Sequence, residues 1–188
     1  IRSLIKSNEN KEAIKIIDEI LKDINVPNFT KKFDNINSIK LRNFLSIKFN
    51  DIQNINLNVE VSKEASSINL DNIIKETYTK DFYRILGILL DNAIEATETD
   101  QNKQITLDIY INKNDYIITI ANTFNSKVEL DKIYTYKYST KGKNRGYGLS
   151  LLNEIIKTSP IFDINQEIVK NVFYSELKIH MSKNKTKF

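Results

Sequence analysis

Only four glycines occur in this chain of 188 residues, and three of them, Gly142, Gly146 and Gly148, lie close together. The segment reads Ser139-Thr-Lys-Gly-Lys-Asn-Arg-Gly-Tyr-Gly-Leu-Ser150. Glycine lets the backbone take positive φ and come close to a ligand. Leu149, Leu152 and Ile156 share one helical face, so the spacing predicts a helix over 146–157 directly after the loop. The free amide N–H groups and positive dipole end of such a helix form an anion site, for which phosphate is the common occupant. Lys141 and Arg145 place cations where a phosphate needs neutralising. An ordinary flexible loop with helix-capping glycines shares this pattern, so Gly-x-Gly alone leaves both readings open.

A second candidate is Leu89-Leu-Asp-Asn-Ala-Ile-Glu-Ala96. Phe82, Ile85, Leu86, Leu89, Ala93 and Ala96 form one apolar stripe, which predicts a helix over 82–98. Ile88, Asn92 and Glu95 form the strip beside it. Asn has poor helix propensity, so its place in mid-helix needs a reason. An oxygen-bearing side chain there could hold Mg²⁺, which takes most of its ligands from phosphates and water. A surface Asn bonded locally is the plain alternative, and Asp91 and Glu95 also read as solvated charges. Asn122 closes a predicted strand and opens a long polar segment, where an amide could meet a purine edge; it also fits an ordinary loop residue. His180 is the only histidine, and no partner set for a metal or a catalytic triad accompanies it.

The elements that must position these residues are legible from periodicity. Ala13, Ile16, Ile17, Ile20, Leu21 and Ile24 predict an amphipathic helix over 11–24, ended before Pro27. A second helical stretch covers 37–52. Alternation of Ile55, Leu57, Val59 and Val61 with polar residues predicts a strand, followed by helical turns and loop over 63–80. Ile105, Leu107, Ile109 and Ile111 alternate again, a turn follows at 113–115, and 116–121 completes a hairpin. Residues 122–145 have weak periodicity, and a loop this long in a compact domain is usually functional or disordered. Two more strands fall near 162–169 and 171–180. The order argues for a mixed, mostly antiparallel sheet with helices on one face rather than a doubly wound parallel sheet.

Composition narrows the function. With 40% hydrophobic residues the chain supports one good core and a smaller helical appendage. No cysteine is present, which removes disulfides and thiolate metal sites. No apolar run reaches the ~18 residues that a membrane-spanning helix needs. The net charge of +4 is dispersed except at residues 141–145 and 183–187, unlike the dense basic face of a nucleic-acid binder. The N-terminal residues read as the middle of a helix, so the natural chain is expected to continue upstream.

Taken in order, these features resemble the GHKL ATPase superfamily, and within it the AgrC-type sensor histidine kinases that respond to quorum-sensing peptides. Phe82-Tyr-Arg-Ile-Leu-Gly-Ile-Leu-Leu-Asp-Asn-Ala-Ile-Glu-Ala96 resembles that superfamily's N box. Tyr138-Ser-Thr-Lys-Gly-Lys-Asn-Arg-Gly-Tyr-Gly-Leu149 resembles its glycine box. Ser66-Ser-Ile-Asn-Leu70 and Asn37-Ser-Ile-Lys-Leu-Arg42 are also similar to AgrC-type segments.

The resemblance implies a two-layer GHKL (Bergerat) α/β sandwich over 54–188, behind partial dimerisation and phosphotransfer helices over 1–52 that lack the phosphoacceptor histidine. It implies ATP and Mg²⁺ as cofactors. ATP would meet Asn92, Glu95, Asn122, Lys141, Gly142, Arg145, Gly146, Gly148 and Leu149, with Asn92 as the metal ligand and 123–145 as a mobile lid. Asn122 would stand where most histidine kinases place the Asp of Asp-x-Gly-x-Gly, a departure AgrC-type members share. Hydrolytic members carry a Glu four residues before the Mg²⁺ Asn; Ile88 stands there, so water attack should be poor. The implied function is transfer of the ATP γ-phosphoryl to an upstream histidine and then to a response regulator. The implied setting is a homodimer in the full-length protein, as the cytoplasmic part of a membrane-anchored receptor, with no nucleic-acid partner. This chain alone is expected not to autophosphorylate. A nucleotide-dependent switch, an anti-sigma-type serine kinase of the same superfamily, and a plain interaction module are the alternatives.

Overall fold

The computed structural model describes residues 30–50, 52, 54–98, 100–124 and 147–181. The expected helix over 11–24, the expected lid, and Lys141, Gly142, Arg145 and Gly146 lie outside the described residues. A 3-10 turn, Thr30–Phe33, leads into helix α1, Ile39–Asn50. Strand β1, Asn56–Val61, is followed by two short helices, α2, Lys63–Ser66, and α3, Leu70–Ile73. Then come α4, Glu76–Glu98; β2, Gln104–Asn112; β3, Asp115–Thr123; α5, Tyr147–Thr158; β4, Phe162–Val169; and β5, Val172–His180.

The strands form one sheet in the order β1-β2-β3-β5-β4. β1 and β2 run parallel, joined by the α2–α4 crossover, and every other pair is antiparallel. Both hairpins close with two residues, and Lys113 and Lys170 begin those turns in the left-handed region, φ 56° each. Ser62 caps α2 by accepting from the Ala65 N–H, and Asn69 caps α3 by accepting from the Asp71 N–H. α4 starts six residues before the apolar stripe that predicted it, because its first turn, Glu76–Thr79, packs only Tyr78 against the core and leaves little apolar signal.

Alternation puts Ile105, Leu107 and Ile109 of β2, Tyr116, Ile118 and Ile120 of β3, and Leu177 and Ile179 of β5 into one buried cluster with the helices. Phe33, Ile36, Leu41, Leu45 and Phe49 belong to the same cluster, with Phe33 and Phe49 rings 6.1 Å apart. Residues 33–49 therefore share one core with the sheet and the helices that follow. Lys32 Nζ also donates to the Leu57 carbonyl, tying the turn before α1 to β1.

The opposite sheet face carries Glu60, Asp108, Thr119 and Glu176 in one register row. Asp108 Oδ1 is buried there without a hydrogen-bond partner. Burial, and then the nearby Glu60 charge, raise the Asp108 pKa above the usual carboxylate range.

Two outcomes follow. Each large apolar side chain contributes about 1.5–3 kcal/mol on burial, and whole domains are stable by only about 5–15 kcal/mol. A chain trimmed to 54–188, which loses the five core side chains of 33–49, will show no cooperative thermal transition by circular dichroism, whereas one starting at residue 30 will. Asp108 favours its protonated form in the fold, so its ionised form costs stability above its folded pKa. That cost fades as pH falls to the ordinary carboxylate value. Asp108→Asn will raise the Tm at pH 7 by about 1–2 °C, and the gain will shrink on acidification to pH ~4.

Candidate functional site

α4 has three occupied sides. Phe82, Ile85, Leu86, Leu89, Ala93 and Thr97 are buried, and the stripe they form lies on the sheet. Tyr83, Gly87 and Asp91 form the side facing α1. The Phe44 and Tyr83 rings lie 5.0 Å apart, and a Cβ on Gly87 would sit 3.7 Å from Phe44 Cζ. Lys48 Nζ lies 2.7 and 2.9 Å from the two Asp91 carboxylate oxygens. Asp91 is thus engaged by α1 rather than directed at a nucleotide.

The third side faces α5. A Cβ on Gly148 would sit 3.4 Å from Ile88 Cγ2, so the start of α5 lies against Ile88. At the other end of α5, Ser159 Oγ donates to Asp81 Oδ2 at 2.8 Å. Residue 148 next to residue 88, with residue 159 next to residue 81, makes the two helices antiparallel. The N-terminus of α5 therefore points toward the C-terminal half of α4. Asn92 stands there, exposed, on the side of Ile88 and one turn beyond it, roughly 6 Å along the axis. Glu95 is exposed on the following turn.

What requires glycine at position 148 is not the protein's own packing. A Cβ would meet Ile88 at an ordinary van der Waals distance, and φ there does not lie in the left-handed region. The missing side chain leaves open backbone beside the first-turn N–H groups of α5, which have no helical acceptors. Leu149 lies in that first turn.

Asn122, the last residue but one of β3, lies opposite Ile105 and Phe173. It is 3% exposed, and its Nδ2 donates to the Thr123 carbonyl at 3.1 Å. Ile105 follows the end of α4 by only seven residues, which brings Asn122 to the same end of the sandwich as the C-terminal half of α4. The structure thus gathers Gly148, Asn92 and Asn122 toward one end of the layer between helices and sheet. Lys141, Gly142, Arg145 and Gly146 lie outside the described residues.

Other polar groups are engaged elsewhere. His180 lies between two carboxylates, with Nδ1 2.7 Å from Asp115 Oδ1 and Nε2 2.7 Å from Asp163 Oδ2, and it ties β3, β5 and β4 together. A small cleft lined by Lys40, Leu70, Asp71, Ile74, Thr79, Phe82 and Tyr83 sits on the α1 side of α4. Asp71 Oδ1 in its wall accepts from Ser38 Oγ at 2.8 Å. Burial, and then the Asp71 charge, push the Tyr83 hydroxyl up to about 12. These contacts join α3, α1 and α4. The Ser159–Asp81 bond was missed in the sequence; the available signal was Ser159-Pro160 directly after the predicted helix.

Among the described residues, no group of three or more His, Cys, Asp and Glu side chains could hold a metal ion. A cation here would have to bring phosphate oxygens with it and need one hard oxygen from the protein, and the exposed Asn92 amide suits that demand. No helix among the described residues is long and apolar enough to cross a membrane.

Comparison with known proteins agrees with this architecture. The fold is similar to the catalytic domain of histidine kinase ThkA in a nucleotide-free form, at 20% identity over 86% of this chain and 97% of that one, with a TM-score of 0.54. It is also similar to the EL346 blue-light activated histidine kinase of Erythrobacter litoralis, at 10% identity over 76% of this chain and 41% of that one, with a TM-score of 0.53. At these identities the likeness is one of fold. No curated protein matches the sequence. The GHKL domain model matches residues 77–180, more than half of the chain and everything from α4 to the end of β5, and the chain belongs to that family.

Proposed function

We propose that this chain is the ATP-binding catalytic part of a sensor histidine kinase of the AgrC type. The observation that carries the reading is the antiparallel seating of α5 on α4, which aims the N-terminal amides of α5 toward the end of α4 that bears Asn92. A triphosphate between them would meet backbone N–H groups on one side and an amide oxygen on the other. Mg²⁺, when bound with ATP, would neutralise phosphate charge.

The roles follow from chemistry. Asn92 offers its side-chain oxygen to the metal, and Glu95, one turn on, lies beside it. Gly146 and Gly148 leave the backbone bare for phosphate approach. Lys141 and Arg145 add charge, and Gly142 and Leu149 flank the same loop. Asn122 is oriented by its own backbone: with Nδ2 donating to Thr123, Oδ1 is the group left to receive a base. An acceptor there matches the exocyclic amine of adenine and opposes the carbonyl oxygen of guanine. Catalysis in such a site is mostly positioning and charge neutralisation.

The γ-phosphoryl would pass to a histidine upstream of residue 1, and then to a response regulator. His180, held between Asp115 and Asp163, is not placed as an acceptor. Because residues 33–49 share the sandwich core, we draw the ATP-binding unit from about residue 30. We take the segment before it as the remainder of the dimerisation and phosphotransfer helices, in a homodimer whose missing N-terminal domain is membrane-anchored.

Titration with a fluorescent ATP analogue checks the reading. The unsubstituted chain will bind it, more tightly with Mg²⁺ than without. Asn92→Ala will abolish the Mg²⁺ enhancement. Gly148→Ala will melt within about 2 °C of the unsubstituted chain yet bind at least about tenfold more weakly, a loss of about 1.4 kcal/mol. Equal binding by all three chains, with and without Mg²⁺, would refute the site. Competition will show ATP preferred to GTP, and Asn122→Ala will erase most of that preference.

A further inference from the structure

The two ends of α5 are held in different ways. At its N-terminus a residue without a side chain lies against Ile88. At its C-terminus every polar group of Ser159 is used. Its N–H donates to the Ile155 carbonyl at 2.9 Å, its carbonyl accepts from the Phe162 N–H at 3.2 Å, and its hydroxyl donates to Asp81 Oδ2 at 2.8 Å. Ser159 is 1% exposed. Beside it, the Phe162 ring stacks on Phe82 with centroids 6.3 Å apart and meets Tyr78 edge-on at 6.3 Å. The turn from α5 into β4 is thus fixed to the first half of α4 by a part-buried polar bond beside an aromatic cluster.

We propose that Asp81 and Ser159 are positioning residues for the phosphate end of the nucleotide site, a role that rests on the function proposed above. A helix of twelve residues is a stiff rod about 18 Å long. Pinning one end to α4 decides how far the other end reaches toward Asn92. Asp81 is eleven residues, three turns or roughly 16 Å, from Asn92 along α4, so it touches no phosphate and acts only through α5. Asn122 stands on β3, outside this linkage, so base recognition does not depend on the anchor.

The test compares affinity for Mg·ATP with affinity for adenosine, which carries no phosphate, in the full chain by NMR titration. Ser159→Ala removes the donor, and Asp81→Ala removes the acceptor at a half-buried position that the fold tolerates more easily. Each will weaken Mg·ATP about three- to tenfold and leave adenosine affinity unchanged. Asp81→Asn keeps an acceptor in place and will bind Mg·ATP like the unsubstituted chain. The double Ala variant will fall no further than either single. Equal loss of both ligands, or Mg·ATP affinity unchanged in cooperatively melting variants, overturns the anchor and leaves the nucleotide reading standing. An unsubstituted chain that binds no ATP overturns both.

Discussion

The relation between α4 and α5 is the constraint on which the site depends. Two contacts define it, Gly148 against Ile88 and Ser159 against Asp81. One alone would fix a distance; two at opposite ends fix direction. Reversing α5 would point its carbonyl end, not its amide end, toward Asn92, and a phosphate would then meet acceptors and the negative dipole end. The anion site expected from the glycine-rich segment would therefore depend on how the two helices are paired as well as on the segment's own sequence.

α4 can serve as the reference for that pair because it is held on two other sides. The sheet takes its apolar stripe, and α1 takes Tyr83, Gly87 and Asp91 through Phe44 and Lys48. The ion pair to Asp91 is exposed and contributes at most about 1 kcal/mol. Burial of α1 itself contributes more, since Leu41, Leu45 and Phe49 enter the common core. α1 is thus an outer wall packed on the same core as α4. Its weak sequence signal has a physical cause: Ile39 and Ile47 are apolar yet 59% and 75% exposed, which blurs the face that Leu41 and Leu45 define.

Much of the sandwich was legible because β2, β4 and β5 alternate, although β3 also buries Ile117. Ile105, Leu107 and Ile109, and Ile118 and Ile120, point one way because the helices cover only one face. The first turn of α4 was not legible, since a single apolar side chain, Tyr78, carries no periodic signal. Among candidate site residues, Gly148 stood out through its clustering with two other glycines, and Asn92 because it violates local helix propensity, which points to a reason outside the helix. The Ser159–Asp81 bond was hidden for the opposite reason. Serine after a helix and aspartate early in one are ordinary choices, and only tertiary structure joins residues that lie 78 positions apart.

Ile88 shows how one substitution can serve packing and chemistry together. The position is one where hydrolytic GHKL members carry a Glu, and a carboxylate there would sit beside the amide end of α5. Isoleucine instead presents Cγ2 to the Gly148 backbone, filling the space with methyl groups. An apolar, partly buried wall at that point offers water no acceptor for its proton and no fixed place to stand. The same wall backs Gly148 without a polar group that would compete for the α5 amides. On the function proposed above, such a site would favour holding a phosphoryl group for transfer over losing it to solvent, and a side chain that carries no charge would set that preference.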